Sequence, residues 1–288
     1  EKNIKDLKKF AEKNTLALML EEPDEDDEPP TLLANNVLGA PGEELVKFYQ
    51  MPAYKMWDPS TAMFLSFALF FAMIMSDFGY GILMTIITAL TWKKMSVGET
   101  SRRIRNMLMM LSGTCLVYGI ICGSYFGYEA PIEALKSFHK VDVNNFDEMI
   151  KLSVGIGAVH IIIANIIRFF NAWPKLSALS FIGWIAVVIG GYSLYAVGQE
   201  TLWAQYSLIS GFVAILLLSS DRPFSSVKNI IMRPIDGLLN LTNATKAFGD
   251  CLSYIRLFAL GLSSALLAAS FNSMAEQAIS ANTVIGTG

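Results

Sequence analysis

An uncharged stretch at residues 176–199 reads LSALSFIGWIAVVIGGYSLYAVGQ. As a helix, its 24 residues rise about 36 Å, enough to cross a hydrocarbon core of about 30 Å. An uncharged apolar run of this length is typical of a membrane span. The stretch therefore predicts a transmembrane helix.

Similar apolar blocks lie on both sides of this stretch. They are 61–76, 78–92, 106–128, 152–167, 201–220 and 236–281. The composition agrees, since 16% of the 288 residues are charged, whereas soluble domains carry about 25%. We therefore predict an all-α fold: a polytopic transmembrane helical bundle with about seven membrane helices, the last long and tilted.

The first two blocks, 61–76 and 78–92, flank Asp77. As one helix they would be about 48 Å long, so a break at the DFGYG sequence is favoured. The loop at 93–105 holds five basic residues and one acidic residue, which marks it as cytoplasmic, whereas the acidic loop at 129–148 lies outside. The N-terminus is also expected in the cytoplasm, so the chain must cross the membrane an even number of times before the loop at 93–105. Two crossings predict a short helical hairpin at 61–92. A single tilted span is the alternative.

The N-terminal 60 residues hold 20 of the 47 formal charges. We predict an amphipathic helix at 1–16. The acidic sequence EEPDEDDEPP at 21–30 is typical of a solvated linker. The proline-containing segment 31–60 indicates irregular structure near the membrane. We place a polar N-terminal segment with its linker at 1–57 and a membrane domain at 58–288. A chain that starts with Glu1 is expected to be a piece of a longer polypeptide.

Several function classes are disfavoured by the sequence. The net charge of -3 and the lack of a basic tract argue against nucleic-acid binding. Cys115, Cys122 and Cys251 lie in apolar stretches without a metal-ligand spacing, so we predict no metal and no cofactor. The enzyme motifs GxxxxGK[ST], HExxH and GxSxG do not occur, so the chain is not expected to be an enzyme by itself.

Two polar residues in the apolar blocks have open roles. Asp77, at the proposed turn, is more simply a helix cap than a functional carboxylate. His160 is more simply hydrogen-bonded to a neighbouring helix than a proton relay. Both are secondary candidate sites.

Arg256 is the residue that argues most strongly for function. It is followed by 19 uncharged residues, so its side chain has no short route to water on that side. A guanidinium inside a bilayer costs at least about 2.5–3.5 kcal/mol, which implies a water-filled cavity or a carboxylate partner. Since arginine stays protonated, it cannot release its own proton, but it can lower the pKa of a nearby carboxylate.

Further polar and small residues share one side of this helix with Arg256. At about 100° per residue, they lie within an arc of about 100°; they are Lys246, Gly249, Ser253, Ser263 and Ser264. Asp250 lies at the edge of the arc. Such a face permits close approach of another helix or of water. Arg256, Asp250, Ser253, Ser263 and Lys246 are therefore the candidate site residues.

The segment DCLSYIRLFALGLSSALLA at 250–268 resembles the arginine-bearing helix of the membrane stator subunit, subunit a or subunit I, of V-type and A-type rotary ATPases. Further stretches similar to this family are DPSTAMFLSFALFFAMIMSDFGYGILM at 58–84, CGSYFG at 122–127, LSVGIGAVHI at 152–161 and EEPDEDDEPPTLLANN at 21–36. The forms DFGYG and SYIRLFALGL are closer to prokaryotic members.

The resemblance implies a non-catalytic subunit of an ATP-driven proton or sodium pump in a prokaryotic cell membrane. It implies that residues 58–288 translocate ions through two aqueous half-channels against a rotating proteolipid ring, with Arg256 as the essential arginine and the other candidate site residues as polar lining. Residues 1–57 would be the tail of a cytoplasmic N-terminal domain with its acidic linker. Peripheral and central stalk subunits are the implied partners beside membrane lipid. Family members continue into a further helix with a second functional arginine, whereas this chain stops at Gly288. A partial chain is the expected explanation.

Two other functions compete with the rotary stator. A secondary transporter would use Asp77, Asp250 and Arg256 as a midplane substrate site, although the two halves show no repeat. A membrane scaffold would leave the cost of Arg256 unexplained.

Overall fold

The computed structural model describes residues 4–20, 31–37, 39–53, 56–129, 132–141, 145–223 and 226–285. Within these ranges the chain is almost entirely helical and forms two compact units, Glu1–Met63 and Phe64–Gly288. The predicted acidic linker at 21–30 lies outside the described residues. The proposed division at residues 57 and 58 stays a prediction.

The first unit contains two short helices, α1 and α2. α1 spans Ile4–Lys13, and α2 spans Ala40–Tyr49. The prediction of irregular structure throughout 31–60 was wrong at α2, because Pro41 lies in its first turn, where a proline costs no backbone hydrogen bond.

A chain of hydrogen bonds ties the first unit together. The backbone N–H of Asn35 donates to Glu43 Oε1 over 2.8 Å, and Asn35 Nδ2 donates to Asp58 Oδ2 over 2.7 Å. Burial raises the pKa of Asp58, but the hydrogen bonds from Ser60 and Asn35 outweigh it, so the pKa lies below its ordinary value. Asp58 thus stays ionised where the membrane helices begin.

The second unit holds the apolar helices. The first of them, α3, begins in the last residues of the first unit. The helices are α3 Ser60–Met75, α4 Phe78–Thr91, α5 Glu99–Cys122, α6 Glu133–Lys136, α7 Phe146–Ala172, α8 Leu179–Ala196, α9 Leu202–Leu218, α10 Val227–Leu241, α11 Asn243–Ser253 and α12 Ile255–Ile285. One-turn 3₁₀ helices lie at Lys94–Ser96 and Leu176–Ala178. A two-stranded hairpin, β1 at Ser124–Tyr125 and β2 at Tyr128–Glu129, follows α5.

Among the described residues, four helical segments are long and apolar enough to cross a membrane: Glu99–Cys122, Phe146–Ala172, Leu176–Ala196 and Lys228–Ser280. Three shorter apolar helices, α3, α4 and α9, accompany them. The predicted all-α membrane fold is confirmed. The predicted number of about seven membrane helices is approximate.

The chain breaks between α3 and α4, at Ser76 and Asp77. Thr114 of α5 donates to the Ala68 carbonyl of α3 over 3.2 Å, and Asp77 bonds to Ser124 beyond the far end of α5. α4 then returns, since the Arg105 guanidinium of α5 lies 3.9 Å from the ring centre of Trp92. The two helices therefore run in opposite directions along α5, and the hairpin interpretation is favoured over one tilted span.

The remaining helices pack through small residues. A Cβ placed on Gly183 of α8 would lie 2.9 Å from the Gly211 carbonyl oxygen of α9, so the two backbones nearly touch there. Ser207 of α9 also donates to the Ala186 carbonyl over 2.9 Å. The predicted translocation residues lie outside this pair, on α11 and α12.

Candidate functional site

The C-terminal apolar block bends at two points. The sequence predicted that a helix over 236–281, about 69 Å long, must tilt or break, and the structure interrupts it at Thr242 and Tyr254. Arg256 is the second residue of α12. It therefore lies immediately after a joint.

Arg256 lies on the exposed side of α12. The residue is exposed, and within the described residues it makes no hydrogen bond and no ion pair. The sequence required a water-filled cavity or a carboxylate partner for Arg256. No described carboxylate of this chain pairs with it.

The predicted polar face is open over its whole length. Lys246, Asp250, Ser253, Arg256 and Ser263 are all exposed. The two serines donate to carbonyls of their own helices: Ser253 to Gly249 over 3.0 Å, and Ser263 to Ala259 over 2.8 Å. Their hydroxyl oxygens keep lone pairs that face outward and can accept hydrogen bonds from water or from a partner.

The opposite side of α12 is the packed side. Phe258, Gly261 and Ala268 are buried, and a Cβ on Gly261 would lie 2.6 Å from the Met73 carbonyl oxygen of α3. These positions lie about 120–200° around the helix from Arg256. The buried side of α12 thus packs against the rest of the chain, and the exposed side can contact another surface.

The joint before Arg256 is held by aromatic rings. The rings of Tyr254 and His160 stack, with centres 5.6 Å apart at 25°, and Phe70 lies 5.2 Å from His160 and 5.6 Å from Tyr254. These contacts fix the position of the joint against α3 and α7.

His160 itself bridges two helices. Its Nδ1 lies 2.9 Å from the Ile156 carbonyl and its Nε2 lies 2.8 Å from the Ser66 hydroxyl. A carbonyl only accepts, so Nδ1 donates to Ile156, and Nε2 shares a hydrogen bond with the Ser66 hydroxyl. This agrees with the simpler interpretation, a histidine hydrogen-bonded to a neighbouring helix.

A polar cavity of about 270 Å³ adjoins the face on the α11 side. Its polar lining comes from α7, α10 and α11: Asn165, Arg168, Asn240, Asn243, Lys246 and Asp250. The structure therefore brings Lys246 and Asp250 together around this cavity, whereas Arg256, Ser253 and Ser263 lie on the outer face and do not line it. The asparagines were not predicted as site residues, although a polar side chain in an apolar block is the signal that marks Asn165.

Asp77 lies on the other side of α12. Its carboxylate is 3% exposed and accepts from the N–H of Tyr80, Phe126 and Gly127 and from the Ser124 hydroxyl. The capping interpretation agrees with this geometry, since Asp77 is the N-cap of α4.

The β1–β2 hairpin connects Asp77 to α12. Asn272 Nδ2 donates to the Phe126 carbonyl over 2.8 Å, and the Tyr128 hydroxyl donates to Glu276 Oε1 over 3.2 Å. Asp77 thus reaches α12 only through the hairpin, which meets the helix at Asn272, about 160° around the axis and about 24 Å along it from Arg256. The structure does not join them into one substrate site, as the transporter alternative requires.

No three His, Cys, Asp or Glu residues lie close enough to hold a metal ion in the part of the chain that the structure describes.

Comparison with known proteins gives a consistent family. Residues 1–129 match the V-type ATPase 116kDa subunit family. The chain is 26% identical over 93% of its length to a V-type ATP synthase subunit I from Borreliella burgdorferi, of which it covers 47%. It is 28% identical over 92% of its length to an A-type ATP synthase subunit I from Methanocaldococcus jannaschii, of which it covers 43%. The chain spans about half the length of the curated relatives it matches.

Proposed function

We propose that this chain, which belongs to the subunit I family of V-type and A-type ATP synthases, is the stator of a rotary ion pump and presents Arg256 to the ion-binding carboxylates of a proteolipid ring. The relatives' names support a rotary ATPase subunit, and the apolar helices support a multi-pass membrane protein. The ring, the half-channels and the role of Arg256 are the proposal. Peripheral and central stalk subunits would hold the chain in place.

One observation carries the proposal: Arg256 is exposed on an open helix face and has no partner among the described residues. A permanent positive charge at membrane depth needs a compensating negative charge. A carboxylate that arrives on another subunit would supply it. A face packed against this chain's own helices could not meet such a carboxylate.

The chemistry follows from charge. When a protonated or sodium-loaded carboxylate reaches Arg256, the guanidinium favours the ionised carboxylate and so promotes release of the bound cation. The same positive charge repels a cation moving along the face, which keeps the two half-channels separate. Arg256 performs both tasks without losing a proton.

The polar cavity would form part of one half-channel. Asp250 and Lys246 line it, and Ser253 continues the exposed face toward Arg256. Carboxylate, amide and hydroxyl groups can support a chain of water molecules that delivers or removes the ion. Hydrolysis or synthesis of ATP would take place on other subunits.

The test is ATP-driven ion uptake by the reconstituted complex with Arg256→Ala. A neighbouring arginine lowers a carboxylate pKa by about 1–3 units, so its loss should slow ion release about 10- to 1,000-fold. Arg256→Lys keeps the charge and should retain part of the uptake. The matched control is Arg102→Ala, which removes an exposed arginine in the predicted cytoplasmic part of α5 and should leave uptake unchanged.

Assembly is measured in parallel by subunit composition. Near-normal uptake by an assembled Arg256→Ala complex would overturn the proposed role. Uptake of a solute by the chain reconstituted without partners would instead favour the transporter alternative.

A further inference from the structure

A second cavity, of about 450 Å³, lies between α7, α8, α9 and the joint of α11 with α12. It borders the polar cavity around Asp250, since Trp184 and Ala247 form part of the wall of both. Its lining residues on α11 lie about 100–240° around the helix axis from Lys246. The cavity is therefore separate from the exposed face that carries Arg256.

The walls of this cavity are apolar. Among the described residues that line it, no side chain is charged, and the polar side-chain atoms are the hydroxyls of Tyr192 and Tyr195 and the thiol of Cys251. The Tyr192 hydroxyl already donates to the Lys151 carbonyl over 3.3 Å. A buried water molecule needs about 2–4 polar partners. The cavity therefore suits an apolar molecule better than it suits water.

The cavity extends along the helices. Its lining residues run from Trp184 to Tyr195 on α8 and from Ala244 to Ile255 across α11 and the start of α12. Each of these two stretches rises about 16 Å. Tyr195 lies one residue before the end of α8, so the cavity reaches from the end of a candidate span to about half of a hydrocarbon core of about 30 Å. This is the depth of one lipid leaflet.

The cavity is open to the surroundings of the membrane helices. Three of its lining side chains are exposed: Tyr195 by 49%, Phe248 by 65% and Leu252 by 40%. They belong to the candidate spans Leu176–Ala196 and Lys228–Ser280, so the medium beside them is lipid. An apolar cavity of about 150 Å³ holds benzene, and on that scale this one has space for about 18 carbon atoms. That is the size of one acyl chain.

We propose that this cavity binds one acyl chain of a membrane lipid, with the headgroup at the Tyr195 end. The cavity and the chain match in charge, since both are uncharged, and they match in length and in volume. Protein interiors are close-packed, and side chains around an empty space lose their contacts on one side. The acyl chain would restore those contacts and support α11, which carries Lys246 and Asp250, against α7 and α8.

The test is site-specific photocrosslinking in the assembled complex, reconstituted into ester-linked phospholipid. Trp184→benzoylphenylalanine places a benzophenone at the inner end of the cavity, where the native side chain is only 7% exposed. On irradiation, benzophenone forms a covalent bond to a nearby C–H group, and mass spectrometry of the digested chain identifies the captured molecule. We expect a phospholipid adduct, and alkaline hydrolysis of its esters should leave one fatty acid on the peptide.

A second probe position shows whether burial alone permits capture of lipid. Phe64 is 3% exposed and does not line the cavity. Phe64→benzoylphenylalanine should therefore capture protein and not lipid.

Two variants fill the cavity from different walls. A Cβ on Gly191 of α8 would lie 3.7 Å from Leu208 Cδ1, an ordinary contact, so Gly191→Phe adds a ring without a backbone conflict. Ala244→Leu adds volume from α11. Each should remove most of the lipid adduct at position 184. Gly113→Phe is the matched control on α5, where a Cβ meets nothing within 4 Å, and it should leave the adduct unchanged.

Subunit composition shows that each variant assembles. The proposal is overturned if the assembled complex gives no lipid adduct at position 184, if both filling variants leave the adduct unchanged, or if Gly113→Phe lowers it equally. Capture of a protein segment at position 184 would show that protein fills the cavity instead. An adduct that resists alkaline hydrolysis would identify an apolar molecule without esters and would also overturn the assignment. Ion uptake is not measured, so the result is independent of the role of Arg256.

Discussion

Asp77 is a buried carboxylate that is satisfied without any cation. Four donors surround it, and two of them are backbone N–H groups 49 and 50 residues away, in the β1–β2 hairpin. These donors satisfy both oxygens of the buried carboxylate. The residue thereby joins α4, the hairpin and, through the hairpin, α12.

We expect Asp77→Asn to destabilise the chain. The amide NH₂ group would face N–H donors that now reach a carboxylate oxygen, which leaves buried donors unsatisfied at a cost of about 1–3 kcal/mol. Ser124→Ala removes one donor and leaves the carboxylate three others, so it should cost about 1 kcal/mol. Denaturant unfolding in detergent measures both. A stability of Asp77→Asn equal to that of the unmodified chain would contradict the assignment.

At the scale of the element, the turn between α3 and α4 depends on close contact with α5. A Cβ on Gly119 would lie 2.2 Å from the Phe78 backbone nitrogen and 2.6 Å from the Asp77 carbonyl carbon. Both atoms belong to the main chain at the start of α4 and cannot rotate away. The hairpin of helices therefore sits against a position where only hydrogen fits.

Gly119→Ala should destabilise the chain, because the steric conflict at the turn exceeds the gain of about 1 kcal/mol that alanine brings to a helix interior. Gly113→Ala is the matched control in the same helix, since a Cβ there meets nothing within 4 Å. That variant should be neutral or more stable by up to about 1 kcal/mol. Thermal unfolding in detergent distinguishes them, and equal melting temperatures would refute the explanation.

Helix positions could be predicted from the sequence because long uncharged blocks leave few other structures in a membrane. The break at Asp77 could be predicted because a 32-residue helix exceeds the membrane thickness. The asparagine-lined cavity and the contact between the hairpin and α12 could not be predicted from the sequence, because both join residues that are far apart in the chain. α2 was missed because Pro41 was taken as a breaker, although the first helical turn tolerates proline.

At the scale of the molecule, α5 separates two loops of opposite charge. Its 24 residues rise about 36 Å, and the basic loop at 93–105 precedes the helix whereas the acidic loop at 129–148 follows it. The orientation itself stays a prediction. This orientation decides which ends of the membrane helices face the cytoplasm.

Cysteine labelling tests this orientation. In a background without Cys115, Cys122 and Cys251, a membrane-impermeant maleimide should label Lys94→Cys only from the cytoplasmic side and Lys136→Cys only from the opposite side, since both positions are exposed. Right-side-out and inside-out vesicles supply the two directions. Labelling of both positions from one side would mean that α5 does not cross the membrane.

The attachment of α12 at several points has a mechanical consequence. The helix is supported near its start by the Tyr254, His160 and Phe70 rings, then by the close contact of Gly261 with Met73, and farther along by the hairpin at Ala268 and Asn272. Arg256 lies about 3 Å along the axis from Tyr254, about 8 Å from Gly261 and about 18 Å from Ala268. If a turning ring pulls sideways on Arg256, the aromatic joint and the Gly261 contact carry most of the force, and the far half of α12 carries little of it.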